Sequence, residues 1–69
     1  MSTDEYRYFV AVYNCRSFSD AARKMCISSQ GIGKSVKSLE AQLGVKLFDR
    51  TPQGVKPTAI ATEIYQSYC

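Results

Sequence analysis

The stretch of sequence that decides the fold is residues 17–44, which read SFSDAARKMCISSQGIGKSVKSLEAQLG. Apolar residues in its second half follow one another at spacings of 4, 3 and 4, and they are Ile32, Val36, Leu39 and Leu43. That spacing places them on one face of an α-helix. Ser28 or Ser29 can cap its start, and Gly44 suits the left-handed residue after a helix end. The pattern predicts a helix over residues 28–43, with an opposite face that is small, polar or basic.

A shorter helix is predicted immediately before this one. Ser19 is expected to be its N-cap, and Asp20 in the first turn complements the helix dipole. The adjacent Ala21 and Ala22 allow a second helix to approach closely, and Cys26 is interpreted as a small buried residue of the turn. Because the turn is so short, the two helices together predict a helix-turn-helix, whose second helix can enter a DNA major groove.

Upstream of this pair, helical spacing continues toward the N-terminus. The apolar residues that recur at positions i, i+3, i+4 and i+7 are Tyr6, Phe9, Val10 and Tyr13. They predict a helix from about Thr3 to Asn14. Ser2 and Glu5 have the spacing of a capping box, and Asn14 is a residue that tolerates the left-handed position at a helix end.

Downstream, the period changes from helical to alternating. Val45 and Leu47 alternate with polar or larger neighbours, and Val55 follows the Pro- and Gly-containing turn of residues 51–54. Two short strands joined as a hairpin are therefore predicted. Thr58 can cap a last helix, which has an apolar stripe made of Ile60, Ala61, Ile64, Tyr65 and Tyr68.

In chain order these elements predict a mainly α fold with a small β-hairpin wing. The expected architecture is a winged helix-turn-helix with a three-helix core, a two-stranded wing and a C-terminal linker helix. Residues 1–57 are expected to form the domain, with the helix-turn-helix at about 18–37, and residues 58–69 to begin a linker and dimerisation helix. An unrelated small α+β bundle stays open as an alternative.

Composition excludes several classes of protein. Sixty-nine residues, 45% of them hydrophobic and 22% charged, suit one small folded domain. No apolar run reaches the roughly 18 residues of a membrane span, and the N-terminus lacks a signal-peptide pattern. The cysteines are three in number and widely spaced, and histidine is absent, so neither a disulfide framework nor a metal site is indicated. We expect a non-enzymatic intracellular chain with no cofactor, no metal and no membrane association.

Positive charge is concentrated in the middle of the chain. The net charge is +3 overall, but residues 16–56 carry eight basic against three acidic side chains, a local net charge of +5. Such a segment between slightly acidic ends indicates an anionic partner. A solvated, lysine-rich surface is the alternative that charge alone leaves open.

Nearly the whole chain also resembles the LysR-type transcriptional regulators. Residues 9–12 and 17–22 look like the opening signature of that family, and residues 39–51, LEAQLGVKLFDRT, are similar to its LExxLGxxLFxR block. Val55–Thr58 resembles the wing return that ends in threonine. The family pattern differs at Gly33, where serine is common, at Pro57, where leucine is usual, and at Ala61, where glycine is usual.

This resemblance implies a bacterial regulator that binds promoter DNA as a homodimer through its last helix. A cytoplasmic, nucleoid-associated location follows from the same resemblance. Family members continue into a larger domain that binds a small-molecule co-inducer, and nothing in residues 1–69 corresponds to that effector-binding domain. The chain is therefore expected to be either a truncated piece or a natural short protein.

The start of the helix at residues 28–43 carries the candidate base-reading chemistry. The Gln30 amide can pair with an adenine edge and Lys34 with guanine acceptors, while hydroxyls and N–H groups at the helix start suit phosphate. Gly31 and Gly33 would let the backbone lie deeper in the groove, with neutral drift or a frayed first turn as the alternative. The residues expected at the major groove are Ser28, Ser29, Gln30, Gly31, Gly33 and Lys34. A solvated polar face is the alternative for this set.

A second set is expected at the DNA backbone and on the wing. Lys37 lies about one turn beyond Lys34, and basic groups of a wing can enter a narrow minor groove. Arg50 can instead form a structural ion pair with its neighbour Asp49. The residues of this set are Lys37, Ser38, Arg50, Thr51, Gln53 and Lys56.

The apolar stripe of the last helix is the candidate dimerisation surface. Its residues are Ile60, Ile64, Tyr65 and Tyr68, and packing against the first helix of the same chain is the alternative. The predicted function is sequence-specific binding of double-stranded DNA, with the helix at 28–43 in the major groove and the wing at 47–57 beside it. A winged-helix module that binds another protein is the alternative function.

Overall fold

The computed structural model describes the backbone of residues 3–68 and the side chains of residues 4–67. Its elements in chain order are α1 (Thr3–Cys15), α2 (Phe18–Met25), α3 (Ser29–Leu43), β1 (Phe48–Thr51), β2 (Gly54–Pro57) and α4 (Ala59–Tyr68). β1 and β2 pair antiparallel as a hairpin. The predicted winged helix-turn-helix is therefore confirmed, while the capping box at Ser2 lies outside the described residues.

The N-terminus of α2 is capped by Ser17. Its side-chain oxygen accepts a hydrogen bond from the N–H of Asp20 at 3.2 Å. The prediction of Ser19 as the cap is wrong, because Ser17 has the extended backbone that an N-cap requires whereas Ser19 already lies within the helix.

The turn between α2 and α3 is closed by Cys26, which adopts a left-handed φ of 61°. The N–H of Cys26 donates to the Arg23 carbonyl at 3.2 Å, and the N–H of Ile27 donates to the Ala22 carbonyl at 2.9 Å. These bonds satisfy the last carbonyls of α2. The Cys26 side chain is exposed, so its predicted burial is wrong, and Ile27 packs against the core instead.

Helix α3 turns Ile32, Val36 and Leu39 into the core, where each is at most 1% exposed. Ser28 is its N-cap, and Gly44 with a φ of 70° is its left-handed C-cap, as predicted. Leu43 is 38% exposed, so its predicted place on the inward face is wrong, because α3 ends there and the core is already closed by the preceding turns.

The core lies between the three helices and the start of the wing. The ring of Phe48 connects them, since its centroid is 5.5 Å from that of Phe9 on α1 and 6.1 Å from that of Phe18 on α2. The largest fully buried side chains are Phe9, Val12, Ile32, Val36, Leu39 and Leu47.

The segment leading into the hairpin does not alternate as predicted. Val45 is 36% exposed, whereas the consecutive Leu47 and Phe48 are both buried, and β1 begins only at Phe48. The backbone here is attached to helices rather than to a second strand. The Glu40 carboxylate accepts from the N–H of Leu47 at 2.7 Å, and the Thr58 hydroxyl donates to the carbonyl of residue 46 at 2.7 Å.

The wing docks on the corner between α1 and α2. The corner residue Arg16 has a left-handed φ of 56°, so it takes the helix-ending role predicted for Asn14. Its carbonyl accepts a hydrogen bond from the N–H of Val55 at 3.3 Å. Gly54 beside it has a φ of 135°, and a Cβ there would lie 3.3 Å from the same carbonyl. Glycine is required at this contact because an L side chain would be both strained and crowded.

Helix α4 begins after Thr58, whose hydroxyl oxygen accepts from the N–H of Ala61 at 3.3 Å, as predicted. Ala61 is fully buried. The ring of Tyr65 stacks on that of Tyr13 with centroids 4.0 Å apart and planes 8° from parallel. The Tyr65 hydroxyl donates to the Asn14 side chain at 3.0 Å, so α4 is held against α1 of its own chain.

Candidate nucleic-acid interface

The outward face of α3 carries exposed polar and basic side chains. Gln30, Lys34 and Lys37 are all exposed, whereas the residues between them that point inward are buried. This division follows from the 3.6-residue period of a helix, which turns positions 30, 34 and 37 to the side opposite the core.

The first turn of α3 adds hydrogen-bond donors at the N-terminal end of this outward face, beside Gln30. The Ser28 oxygen accepts from the N–H of Gly31 at 3.0 Å, so this hydroxyl has a capping role and keeps its own proton for an external acceptor. Ser29 beside it is exposed. N–H groups of a first helical turn point along the axis and carry partial positive charge, which suits an anion such as phosphate.

Two adjoining hollows lie between α3, the start of α2 and β1, with volumes of about 280 and 520 Å³. Together they are termed the α3–wing cleft. Four residues line both hollows: Phe18, Gly33, Lys37 and Arg50. The larger one is also lined by Ser19, Ser29, Gln30 and Lys34, and the smaller one by Val36, Glu40, Lys46 and Phe48. The cleft thus brings the α3 face together with the first strand of the wing.

Arg50 reaches the cleft from β1 and lies over the ring of Phe18, with its guanidinium carbon 4.8 Å from the ring centroid. Asp49 next to it pairs instead with Lys46 at 3.8 Å. The alternative of an Arg50–Asp49 ion pair is therefore wrong. An arginine attracted to an aromatic face can still donate hydrogen bonds from its guanidinium N–H groups to a ligand.

Other predicted wing residues lie away from the cleft. The Thr51 hydroxyl donates to the carbonyl of Gly54 at 2.8 Å and so closes the hairpin turn. Gln53, in the hairpin turn, and Lys56, on β2, are both exposed, and Lys56 is opposite Asp49 in the register of the hairpin. Neither of them lines the cleft, so their predicted contacts would be made by the wing alone.

The opposite flank of α3 meets acidic residues of α1. A third hollow is lined by Asp4, Glu5, Tyr8, Gly31, Lys34, Ser35 and Ser38. The Gln42 amide donates to the Glu5 carboxylate at 3.1 and 3.3 Å and to the Ser38 hydroxyl at 3.5 Å. Ser38, predicted to contact the DNA backbone, therefore lies beside a carboxylate. Of the residues that the structure describes, Lys34 alone lines both this acidic flank and the α3–wing cleft.

Two residues of this surface were missed by reasoning from sequence. Phe18, which no sequence pattern singles out, supports Arg50 in the cleft. Glu40 stands out in the sequence only as part of the LExxLG pattern, yet its carboxylate accepts from the N–H groups of Leu47 and Phe48 at 2.7 and 3.4 Å. The available signal was that Glu40 is the single acidic residue among the apolar, polar and basic positions of α3.

The candidate dimerisation residues are partly used within the chain. Ile60, Ile64 and Tyr65 are each half-buried and pack against the core, and the side chain of Tyr68 lies outside the described residues. A dimer contact through their remaining exposed surface stays a prediction. Among residues 4–67, no group of three or more acidic or cysteine side chains is placed to hold a metal ion.

Residues 3–62 match the family model described as bacterial regulatory helix-turn-helix protein, lysR family. The chain belongs to the LysR family. It is 38% identical over 66 residues to the HTH-type transcriptional regulator BenM of Acinetobacter baylyi, covering 96% of this chain and 22% of the relative. It is 41% identical over 59 residues to TfdT of Cupriavidus pinatubonensis, covering 86% of this chain and 26% of the relative. This LysR-family chain thus spans about a quarter or less of the length of these relatives.

Solved structures of LysR-family proteins share the fold. The BenM DBD in complex with catB site 1 DNA superposes with a TM-score of 0.93 at 37% identity, over 97% of this chain and 75% of that one. The CbnR DBD in complex with DNA superposes with a TM-score of 0.92 at 30% identity, over 97% and 77%. Within the described part of the LysR-family chain, no helix is long and apolar enough to cross a membrane.

Proposed function

We propose that the chain binds double-stranded DNA sequence-specifically as the DNA-binding part of a bacterial transcriptional regulator, without enzymatic activity. Helix α3 enters the major groove, where Gln30 and Lys34 read base edges, and the wing contacts the adjacent backbone or minor groove. Winged helix-turn-helix domains of related regulators have been crystallised on DNA, which supports this assignment.

The observation that carries the proposal is the convergence of Gln30, Lys34, Lys37 and Arg50 on one hollow. They come from two separate elements, α3 and β1, and all four are exposed. A surface that combines an amide with three cations offers both base-edge pairing and phosphate contacts. The local net charge of +5 over residues 16–56 supports electrostatic capture of the duplex before docking.

The working unit proposed is a homodimer through α4, with residues 1–57 as the domain and 58–69 as the start of the linker and dimerisation helix. Ile60, Ile64, Tyr65 and Tyr68 form the proposed contact. A two-fold pair would present its two α3 helices to half-sites separated by about one DNA turn or a multiple of it. A small-molecule co-inducer would be taken by a domain outside residues 1–69, and the proposed location is the bacterial cytoplasm, at the nucleoid.

The test is to select duplexes from a randomised pool with the chain and to measure the affinity for a recovered duplex and for a scrambled one as salt is varied. We expect tighter binding to the recovered duplex, and a log-affinity slope against log salt of nearly one unit for each phosphate contacted. Affinity that is equal for both duplexes and indifferent to salt would contradict the proposal and favour a protein-binding module.

A further inference from the structure

Gly33 leaves a gap in the outward face of α3. A Cβ built at this position would meet no heavy atom of a neighbouring element within 4 Å. The residue nevertheless lies at the centre of the interface, since it lines both hollows of the α3–wing cleft. Glycine in a helix interior is unfavourable by about 1 kcal/mol relative to alanine, and no contact with the described residues requires it here.

The surface that the gap opens onto is partly apolar. Behind Gly33, the smaller hollow is lined by Phe18, Val36 and Phe48. Charged side chains border these apolar residues, since three cations and one acidic residue also line the hollow: Lys37, Lys46, Arg50 and Glu40. A small apolar group with phosphates nearby would suit this combination of apolar and mainly basic side chains.

One group of B-DNA meets that description in the major groove. The C5 methyl of thymine is the apolar feature in the major-groove pattern of the four bases, and it projects from the base edge toward a docked helix. Gly33 lies three residues after Gln30 and next to Lys34, so it shares the face proposed to meet the base edges.

We infer that Gly33 is a specificity-determining position that admits a thymine methyl group into the α3–wing cleft, against the Phe18 side. This inference rests on the proposed function and adds a base preference to it. Gly33 contributes to recognition because it has no side chain. A serine or alanine at position 33 would occupy the space that the thymine methyl group takes.

The experiment replaces each thymine of a duplex recovered from the randomised pool by deoxyuridine, one position at a time. Deoxyuridine keeps the hydrogen-bonding edge and removes only the methyl group. We expect one position in each half-site at which the wild-type chain binds about fourfold more weakly, the effect of exposing one buried methyl-sized group. Affinity is measured by fluorescence anisotropy at fixed salt.

Gly33→Ala is the decisive variant, because its added methyl meets no neighbour in the chain and alanine favours the helix. Its urea midpoint is expected to rise, which separates any loss of affinity from unfolding. At the sensitive position it should bind the thymine duplex no more tightly than the deoxyuridine duplex, because the added side chain takes the space of the thymine methyl group, and Gly33→Ser should do the same.

The outcomes separate this inference from the proposed function. A recovered duplex that tolerates deoxyuridine at every position overturns the inference and leaves DNA binding intact. A fourfold effect that persists unchanged in Gly33→Ala also overturns it, because the methyl group would then be bound elsewhere. Failure to recover any preferred duplex would contradict the proposed function itself.

Discussion

The carboxylate of Glu40 accepts a hydrogen bond from the backbone N–H of Leu47 at 2.7 Å. The same oxygen accepts from the N–H of Phe48 at 3.4 Å. One side chain of α3 thereby holds the backbone at the start of β1, where the Leu47 and Phe48 side chains are buried. This bond helps to place the wing relative to α3, and with it the position of Arg50 in the cleft.

Glu40→Ala should therefore destabilise the fold. It leaves the two N–H groups without their charged acceptor, which costs about 1.5–3 kcal/mol in the free energy of unfolding. Urea denaturation followed by circular dichroism measures the difference. The matched control is Glu63→Ala, which removes an exposed carboxylate from α4 and should leave stability nearly unchanged. Equal effects of the two substitutions would contradict a structural role for Glu40.

Thr58→Ala should lower stability as well, by about 1–2 kcal/mol for a missing N-cap. The hydroxyl of Thr58 accepts from the N–H of Ala61 and donates to the carbonyl of Lys46, so one group connects α4 to the segment before the wing. Thr58→Ser keeps the hydroxyl and is expected to retain most of the stability. Chemical denaturation of the wild type, Thr58→Ala and Thr58→Ser in the same buffer gives the three free energies of unfolding. If Thr58→Ser is destabilised as much as Thr58→Ala, the hydroxyl of Thr58 has no capping role.

Lys34→Ala is expected to weaken binding to the recovered duplex more than binding to a scrambled one. A lysine paired to guanine acceptors contributes about 1–3 kcal/mol of discrimination, whereas a phosphate contact weakens all duplexes alike when it is removed. The control is Arg7→Ala, which removes an exposed cation of α1. Anisotropy titrations of both variants against both duplexes measure the ratio, and equal reductions on the two would reassign Lys34 to a phosphate.

Charge reversal of Lys37 and Arg50 to glutamate should lower affinity for every duplex. Both side chains line both hollows of the α3–wing cleft, and each phosphate that the variant no longer neutralises should reduce the salt slope by about one unit. Arg7→Glu changes the charge by the same amount per site on α1 and serves as the comparison. Unchanged affinity in the double variant would show that DNA meets a different face.

Ile64→Asp should convert the proposed dimer to monomers in sedimentation equilibrium. Replacing this apolar side chain of the α4 stripe by a carboxylate removes about 1.5–3 kcal/mol of the association free energy that comes from apolar burial. The dissociation constant of the dimer should therefore rise at least tenfold. Because Ile64 also packs against its own core, circular dichroism must show that the variant stays folded. Gln66→Asp, at an exposed position of the same helix, is the control. A dimer that persists in Ile64→Asp would place this residue in the intrachain core.

Helical elements were predictable because their signals are local. The inward residues of α3 follow directly from a spacing in the sequence, and Gly44 ends the helix where its backbone freedom is needed. Near the wing the local signals mislead. Leu47 and Phe48 are consecutive in sequence and both buried, and hydrogen bonds from Glu40 and Thr58 hold the segment that leads into β1.

Taken by itself, the order of residues determined the helix-turn-helix, the hairpin and the basic character of α3, since periodicity, capping and charge act over a few neighbouring positions. Tertiary structure alone decided that Arg50 lies over Phe18, that Arg16 receives the wing and that Tyr65 stacks on Tyr13. Each of those contacts joins residues far apart along the chain. Their energy is gained only when the core has already brought the elements together, so no local pattern encodes them.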